Sequence, residues 1–244
     1  WAWGNNSQGA LGQNTTTTVS SPVQIPGTTW ESVATNYSYY MFGTKTDGTL
    51  WAWGGQYAGV LGLNQSSAKY SSPVQIPGTN WGSAIEGKLA VAQNYATAAI
   101  KTDGTLWTWG ENQIGALGLN QADGQRYSSP VQVPGTTWKS VAWNSSSVVA
   151  TKTDGTLWGW GAGENGGLGL NSQTDYSSPT QVPGTDWDRV WTSSSGSAKA
   201  TRTDGTLWSW GGGGTGGTGP GYKSSPTQIP GTWGRQGQGG GIKL

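Results

Sequence analysis

Apolar and polar residues alternate in short bursts along this chain, separated by stretches rich in glycine, asparagine and serine. Period-two alternation puts every second side chain on one face of a strand. Four such bursts make a unit. The first is Leu-Trp-x-Trp, at 50–53, 106–109, 157–160 and 207–210. The second is Pro-Val-Gln-Ile or a close variant, at 22–25, 73–76, 130–133, 179–182 and 226–229. Its leading proline cannot donate to a ladder, so it suits an edge strand. The third follows a lone tryptophan, as in 30–34 and 138–142, and the fourth is an apolar stretch at 41–44, 98–101, 148–151 and 198–201. Asp-Gly at 47–48, 103–104, 154–155 and 204–205 marks a tight turn between the fourth burst and the next Leu-Trp. No burst sustains a helical period.

Trp-x-Trp-Gly itself occurs five times, at 1–4, 51–54, 107–110, 158–161 and 208–211, in steps of 50, 56, 51 and 50 residues. Four antiparallel strands in a unit of this length read as a propeller blade. The expectation is an all-β chain, a β-propeller of four-stranded antiparallel blades. One domain, 1–244, is expected, built of five repeats at 1–50, 51–106, 107–157, 158–207 and 208–244. The chain starts on the first strand of a unit and stops after a third and a shortened fourth strand, from Trp233 to Leu244. Pairing of N- and C-terminal strands is therefore expected to close five blades into a ring and hide edge strands that invite aggregation. The fifth unit is degenerate, with 211–221 replacing the Leu-Gly-Leu-Asn segment.

Composition then narrows the chemistry. The 17 Trp and 9 Tyr can bury a core despite 43 Gly and 11 Pro. Fifteen of the Trp sit at repeat positions, ten in Trp-x-Trp-Gly and five after Pro-Gly-Thr or its variants, and read as packing. Only 10% of residues are charged and the net charge is +1, so no basic stripe for nucleic acid is present. There is no Cys and no His, which removes thiolate chemistry, a Ser-His-Asp triad and the commonest metal ligand. No run of 18 apolar residues exists, so membrane insertion is not expected. No cofactor, metal or catalytic residue is expected either. Asp186, Asp188 and Asp123 lack an oxygen-rich loop at calcium spacing. Glu111 and Glu164 follow successive Trp-x-Trp-Gly motifs and offer a glycosidase pair only as a minor reading. The repeated Asp47, Asp103, Asp154 and Asp204 read as turn residues. Lys45, Lys101, Lys152 and Arg202 read as their solvated partners on the same hairpin.

At these residues the chain resembles the regulator of chromosome condensation repeat family of β-propellers. The matching parts are Trp-x-Trp-Gly, the Gly-x-Leu-Gly after it (9–12, 59–62, 115–118 and 166–169), the Ser-Pro-Val-Gln-Ile strand and the Thr-x-Asp-Gly-x-Leu-Trp hairpin. The resemblance spans nearly the whole chain and implies the fold. Members usually carry a His in the turn before the fourth strand and have seven blades; this chain has neither feature. The resemblance therefore reads as a bacterial or phage-like member and does not carry over the nuclear founder's exchange activity. The plant ultraviolet-B photoreceptor has a similar fold, but its role needs Arg–Trp clusters, and Arg occurs here only at 126, 189, 202 and 235.

Function is then sought where the repeats disagree. Trp143 and Trp191 stand where other units have Thr35 or Ala34, at the end of the third strand. Tyr37, Tyr39 and Tyr95 cluster in the adjoining turns with Asn36, Asn94 and Asn144. If the third strand lines a central channel, as the resemblance implies, these residues surround one mouth of it. Aromatic rings beside amides and hydroxyls suit sugar rings; the alternative is that they fill the channel neck. The expected function is a non-enzymatic binding or structural module recognising a protein or carbohydrate ligand, outside a reducing cytosol or on a virion or cell surface. The alternative is a scaffold within a larger assembly such as a phage fibre. Asn5, Asn14, Asn36, Asn64 and Asn144 head Asn-x-Ser/Thr sequences, which bear glycans only in a eukaryotic secretory pathway.

Overall fold

A computed structural model describes residues 1–36, 39–92, 95–121, 123–144, 146–193, 196–212, 221–231 and Trp233. It is all-β, with two 3-10 turns at Gln113–Gly115 and Glu164–Gly166. Among the described residues, eighteen strands form four sheets of four strands and one of two. The pair is β1 (Ala2–Gly4) and β2 (Val19–Val23). Blade I joins β3 (Trp30–Asn36), β4 (Tyr40–Lys45), β5 (Leu50–Gly54) and β6 (Tyr70–Gln75). Blade II joins β7 (Leu89–Val91), β8 (Ala96–Ile100), β9 (Leu106–Asn112) and β10 (Gln125–Gln132). Blade III joins β11 (Trp138–Trp143), β12 (Ser147–Lys152), β13 (Leu157–Gly161) and β14 (Tyr176–Val182). Blade IV joins β15 (Trp187–Thr192), β16 (Ser197–Arg202), β17 (Leu207–Gly211) and β18 (Lys223–Ile229).

Each sheet is antiparallel and ordered as the chain runs, so each blade starts at the third burst of one sequence unit and ends at the second burst of the next. The β1–β2 pair holds the two strands that begin the first unit. The rest of that blade was expected from 233–244; all of this segment except Trp233 lies outside the described residues, as does 213–220. Trp1 and Trp3 are 74% and 58% exposed, unlike their equivalents in the other repeats.

Three tryptophans hold each blade. The second Trp of Trp-x-Trp-Gly (Trp53, Trp109, Trp160, Trp210) is fully buried, and its Nε1–H donates to a backbone carbonyl one blade back: Ala10, Val60, Ala116 and Gly167, at 2.7–3.0 Å. The first Trp is half-buried and donates to a Thr hydroxyl of the preceding turn, as Trp107 does to Thr105. The tryptophan after Pro-Gly-Thr packs edge-on to both; Trp138 lies 6.1 Å from Trp158 and 5.8 Å from Trp160. Such T-shaped pairs add to plain area burial.

The cations before the Asp-Gly turn differ from expectation. Lys45, Lys101, Lys152 and Arg202 form no ion pair with the turn Asp; each charged group lies 4.2–4.9 Å from the centroids of two Trp rings of its own blade. A long side chain lays its stem and charge along indole faces because the ring quadrupole attracts a cation that is still partly hydrated. The Asp is occupied elsewhere. Asp103 Oδ1 accepts from the Thr105 hydroxyl (2.7 Å) and the Thr105 N–H (2.9 Å), and the other three turns repeat this.

These bonds hold all four Asp carboxyls below their ordinary value, the Thr hydroxyl contributing most and the Thr N–H next. A carboxyl lowered on folding contributes stability above its unfolded value of 3.8 and loses it as pH falls through the lower folded value. The melting temperature is therefore expected to hold near neutrality and to fall below about pH 4. Changing all four Asp to Asn keeps an acceptor and should flatten that acid limb, as scanning calorimetry across pH would record.

Candidate functional site

The third-burst strands β3, β7, β11 and β15 adjoin one another in turn and form the inner rank of the blades. Where β7, β11 and β15 converge there is a cavity of about 270 Å³. Apolar side chains contribute to its walls, with Leu89 and Val91 from blade II, Val141 and Ala142 from blade III and Val190 from blade IV, but polar atoms make up the larger share of its accessible lining. Trp143, Trp191, Ser140 and Arg189 complete it. The fold brings Trp143 and Trp191 to this one cavity, but they behave differently. Trp143 is 6% exposed and packs with Val141 and Val148, with its Nε1–H unpartnered. Trp191 is 42% exposed. The two occupy positions one residue apart in their strands: Trp143 pairs with Val148, while Trp191 pairs with Lys199.

The other expected residues scatter. Asn144 is buried, and its Oδ1 accepts from the N–H groups of Ser146 (3.0 Å) and Ser147 (2.8 Å); it shapes the turn, while its Nδ2 has no partner. Tyr39 is 52% exposed at the β3–β4 turn. Tyr95 packs against Tyr57 with ring centroids 4.5 Å apart and the planes tilted by 51°, joining a blade I loop to a blade II turn. Asn36 ends β3 opposite Tyr40. Tyr37 and Asn94 lie outside the described residues. Glu111 is ion-paired to Arg126 at 2.9 Å, and Arg126 also lies over Tyr57.

Three features of the site were not anticipated. Arg189 occupies the strand position of Ser32 and Ser140 and has no ion pair among the described residues, whereas Lys139 and Asp188 bind one another across blades III and IV at 2.5 Å. Ser140 Oγ is buried without a partner. Ala84, Ile85 and Gly87 enter the cavity from the stretch between Trp81 and β7. That stretch is the insertion behind the 56-residue step, and it interrupts the third burst, leaving Trp81 as a lone bridge to Lys101. The signals were present: a charged residue in a serine position and one long step.

With the geometry in hand, comparison with known proteins gives consistent results. The family model described as Regulator of chromosome condensation (RCC1) repeat matches residues 1–36, 103–150 and 154–198. The chain is 29% identical over 178 residues to the ultraviolet-B receptor UVR8 of Arabidopsis thaliana, covering 71% of this chain and 40% of the receptor. It is 33% identical over 128 residues to the Protein RCC2 homolog of Danio rerio, covering 52% of this chain and 25% of that protein. Among solved structures, human WBSCR16 superposes with a TM-score of 0.73 at 19% identity, over 93% of this chain and 61% of that one. Prp20p of Saccharomyces cerevisiae, described with binding properties to Gsp1p and histones, gives 0.73 at 21% identity, over 90% and 55%. These structural likenesses concern the fold. The chain spans less than half the length of the curated relatives it matches.

Proposed function

We propose that this chain, which belongs to the Regulator of chromosome condensation (RCC1) repeat family, is a non-enzymatic binding module that takes a side chain of a protein partner into its axial cavity. The cavity carries the reading. Three blades supply apolar side chains to a lining that is otherwise largely polar, and among the described residues Ser140 Oγ and Trp143 Nε1–H have no partner and Arg189 has no ion pair. A buried polar atom without a partner is costly, and Trp and Arg dominate protein-binding hot spots. The fitting ligand is an extended segment presenting an apolar side chain beside a carboxylate. A strongly basic partner, such as the histones named for Prp20p, does not suit Arg189.

A random peptide display library panned on the immobilised chain tests this. Selected sequences should pair Asp or Glu with an apolar residue. Arg189→Glu should weaken them by about 2–5 kcal/mol if the pair is desolvated, and Trp191→Ala should weaken them as well. No enrichment, or enrichment indifferent to both variants, would falsify the reading.

A carbohydrate ligand is a second reading, favoured by the tilted Tyr57–Tyr95 pair and by exposed Tyr39, whose carbonyl accepts from the N–H of Gly55 at 2.7 Å, two residues before Tyr57. Its face is polar and nearly neutral, since Arg126 is satisfied by Glu111. A glycan array read with wild type and Tyr57→Ala discriminates: signal lost in the variant supports this face, and silence across the array removes it.

A further inference from the structure

Strand pairing leaves backbone donors open at the axial cavity. In an antiparallel ladder, alternate residues turn their N–H and C=O toward the partner strand, and the residues between them turn these groups away. In β11 the bond from the Asn144 N–H to Ser147 O sets the phase, so Val141, opposite Ala150, points its backbone groups away from β12. The Gly87 carbonyl takes the Val141 N–H at 2.9 Å. In β15 the bond from the Ser193 N–H to Ser197 O sets the same phase, so Val190, opposite Ala200, and Thr192, opposite Ala198, turn away from β16. Val190 holds the strand position of Val141. Neither its N–H nor that of Thr192 meets an acceptor among the described residues. Gly87 belongs to the insertion of the 56-residue step, and the 51-residue step that follows carries no such insertion to serve β15.

Val190 and Thr192 both line the cavity, so the open edge of β15 calls for an oxygen acceptor there. Charge says which kind. Among the described residues Arg189 is the one charged residue in the lining. The charges next to the lining in sequence cancel, Glu86 with Lys88 at 2.9 Å and Asp188 with Lys139 at 2.5 Å. A guanidinium one residue from an open backbone N–H favours a carboxylate. Size then restricts its source. A sphere of 270 Å³ is about 8 Å across and extended chain advances ~3.3–3.6 Å per residue, so about two residues fit. Neighbouring side chains of an extended segment point to opposite faces, so an Asp and the apolar residue next to it do not enter one cavity together. A C-terminal apolar residue carries both groups on one Cα.

We propose that the cavity takes the free C-terminus of a protein partner ending in an apolar residue. The α-carboxylate accepts from the Val190 N–H, as the Gly87 carbonyl accepts from Val141, and is neutralised by Arg189. The terminal side chain lies among the apolar residues of the three blades. This inference rests on the binding-module reading above and narrows its carboxylate from any acidic side chain to the end of a chain.

Backbone N–H signals of the ¹⁵N-labelled chain, titrated with three synthetic peptides, test the proposal. The probes are acetyl-Gly-Gly-Leu as the free acid, the same peptide as its C-terminal amide, and acetyl-Gly-Asp-Gly-Leu-Gly amide. The free acid should move the Val190 signal along a saturating curve while that of Val141, held by Gly87, stays. The two amides should bind more weakly by about tenfold or more, having lost a charge-assisted contact. Arg189→Gln should remove most of the difference between acid and amide, with the remaining signals in place showing that the chain is folded. Equal binding of the acid and either amide would overturn the inference and leave the wider reading standing. Silence from all three probes, while panned acidic peptides still bind through Arg189, would do the same. Silence from all three together with panning that enriches nothing would overturn both.

Discussion

Gly110→Ala is expected to lower the urea midpoint more than any other single-methyl change in the chain. Gly110 closes Trp-x-Trp-Gly at φ +98°, where an L-residue is strained. The added Cβ would run into the Tyr95 carbonyl oxygen and lie 2.8 Å from Ala96 Cα, both backbone atoms of the neighbouring turn and strand. Backbone on both sides cannot rotate away as a side chain can. Strain of about 1–3 kcal/mol from the dihedral adds to a similar ~1–3 kcal/mol from forced overpacking. Gly54, Gly161 and Gly211 meet the equivalent carbonyl in their own blades, which explains why the motif ends in glycine. Gly124 is the control. It also has positive φ, +80°, but a Cβ there meets nothing within 4 Å, so Gly124→Ala should cost only the dihedral part.

Trp109→Ala is the second large effect, expected at about 3–5 kcal/mol from the cavity and lost transfer free energy. Trp109 is fully buried between blades: it contacts Phe42 of blade I at 6.2 Å and Trp81 at 6.1 Å between ring centroids, and its Nε1–H donates to Val60 O at 2.7 Å. Trp109→Phe keeps an aromatic ring and removes the donor; Val60 O retains its longer bond from the Thr97 hydroxyl (3.3 Å), so the lost bond accounts for about 0.5–1.5 kcal/mol of that total. Trp107→Ala, at the half-buried partner position, should cost less than Trp109→Ala. Midpoints and m-values from urea unfolding separate the three, a constant m marking a pure stability change.

Much of the fold was legible because its signals are local. Trp-x-Trp, Asp-Gly and a leading proline each fix a strand face, a turn or an edge within a few residues. The phase of the blades was legible for the same reason: the turn between fourth and first bursts is tight, so those strands must pair. The stacked cations were not legible. Lys45 sits between Trp30 and Trp51, which are brought together only when three strands assemble. By composition alone a lysine beside an aspartate reads as its solvated partner.

The site was half legible. A tryptophan in an alanine or threonine position announced Trp191 and Trp143, and both reach the cavity. Their different exposure follows from a one-residue offset that the sequence carries, Trp143 at the position of Thr35 and Trp191 at that of Ala34. Tyr57 was missed because its partner Tyr95 belongs to the next blade. The meaning of Arg189 comes from the serines whose strand position it takes, which neither net charge nor a count of Arg shows.

The central claim is that regular tryptophans build the scaffold while the irregular inner strands bind. Fluorine NMR of the 5-fluorotryptophan-labelled chain, with a peptide recovered by panning added to saturation, tests it most directly. Trp143 and Trp191 should shift, while Trp53, Trp109, Trp160 and Trp210 stay fixed. Shifts confined to those four scaffold positions, with Trp143 and Trp191 unmoved, would contradict it.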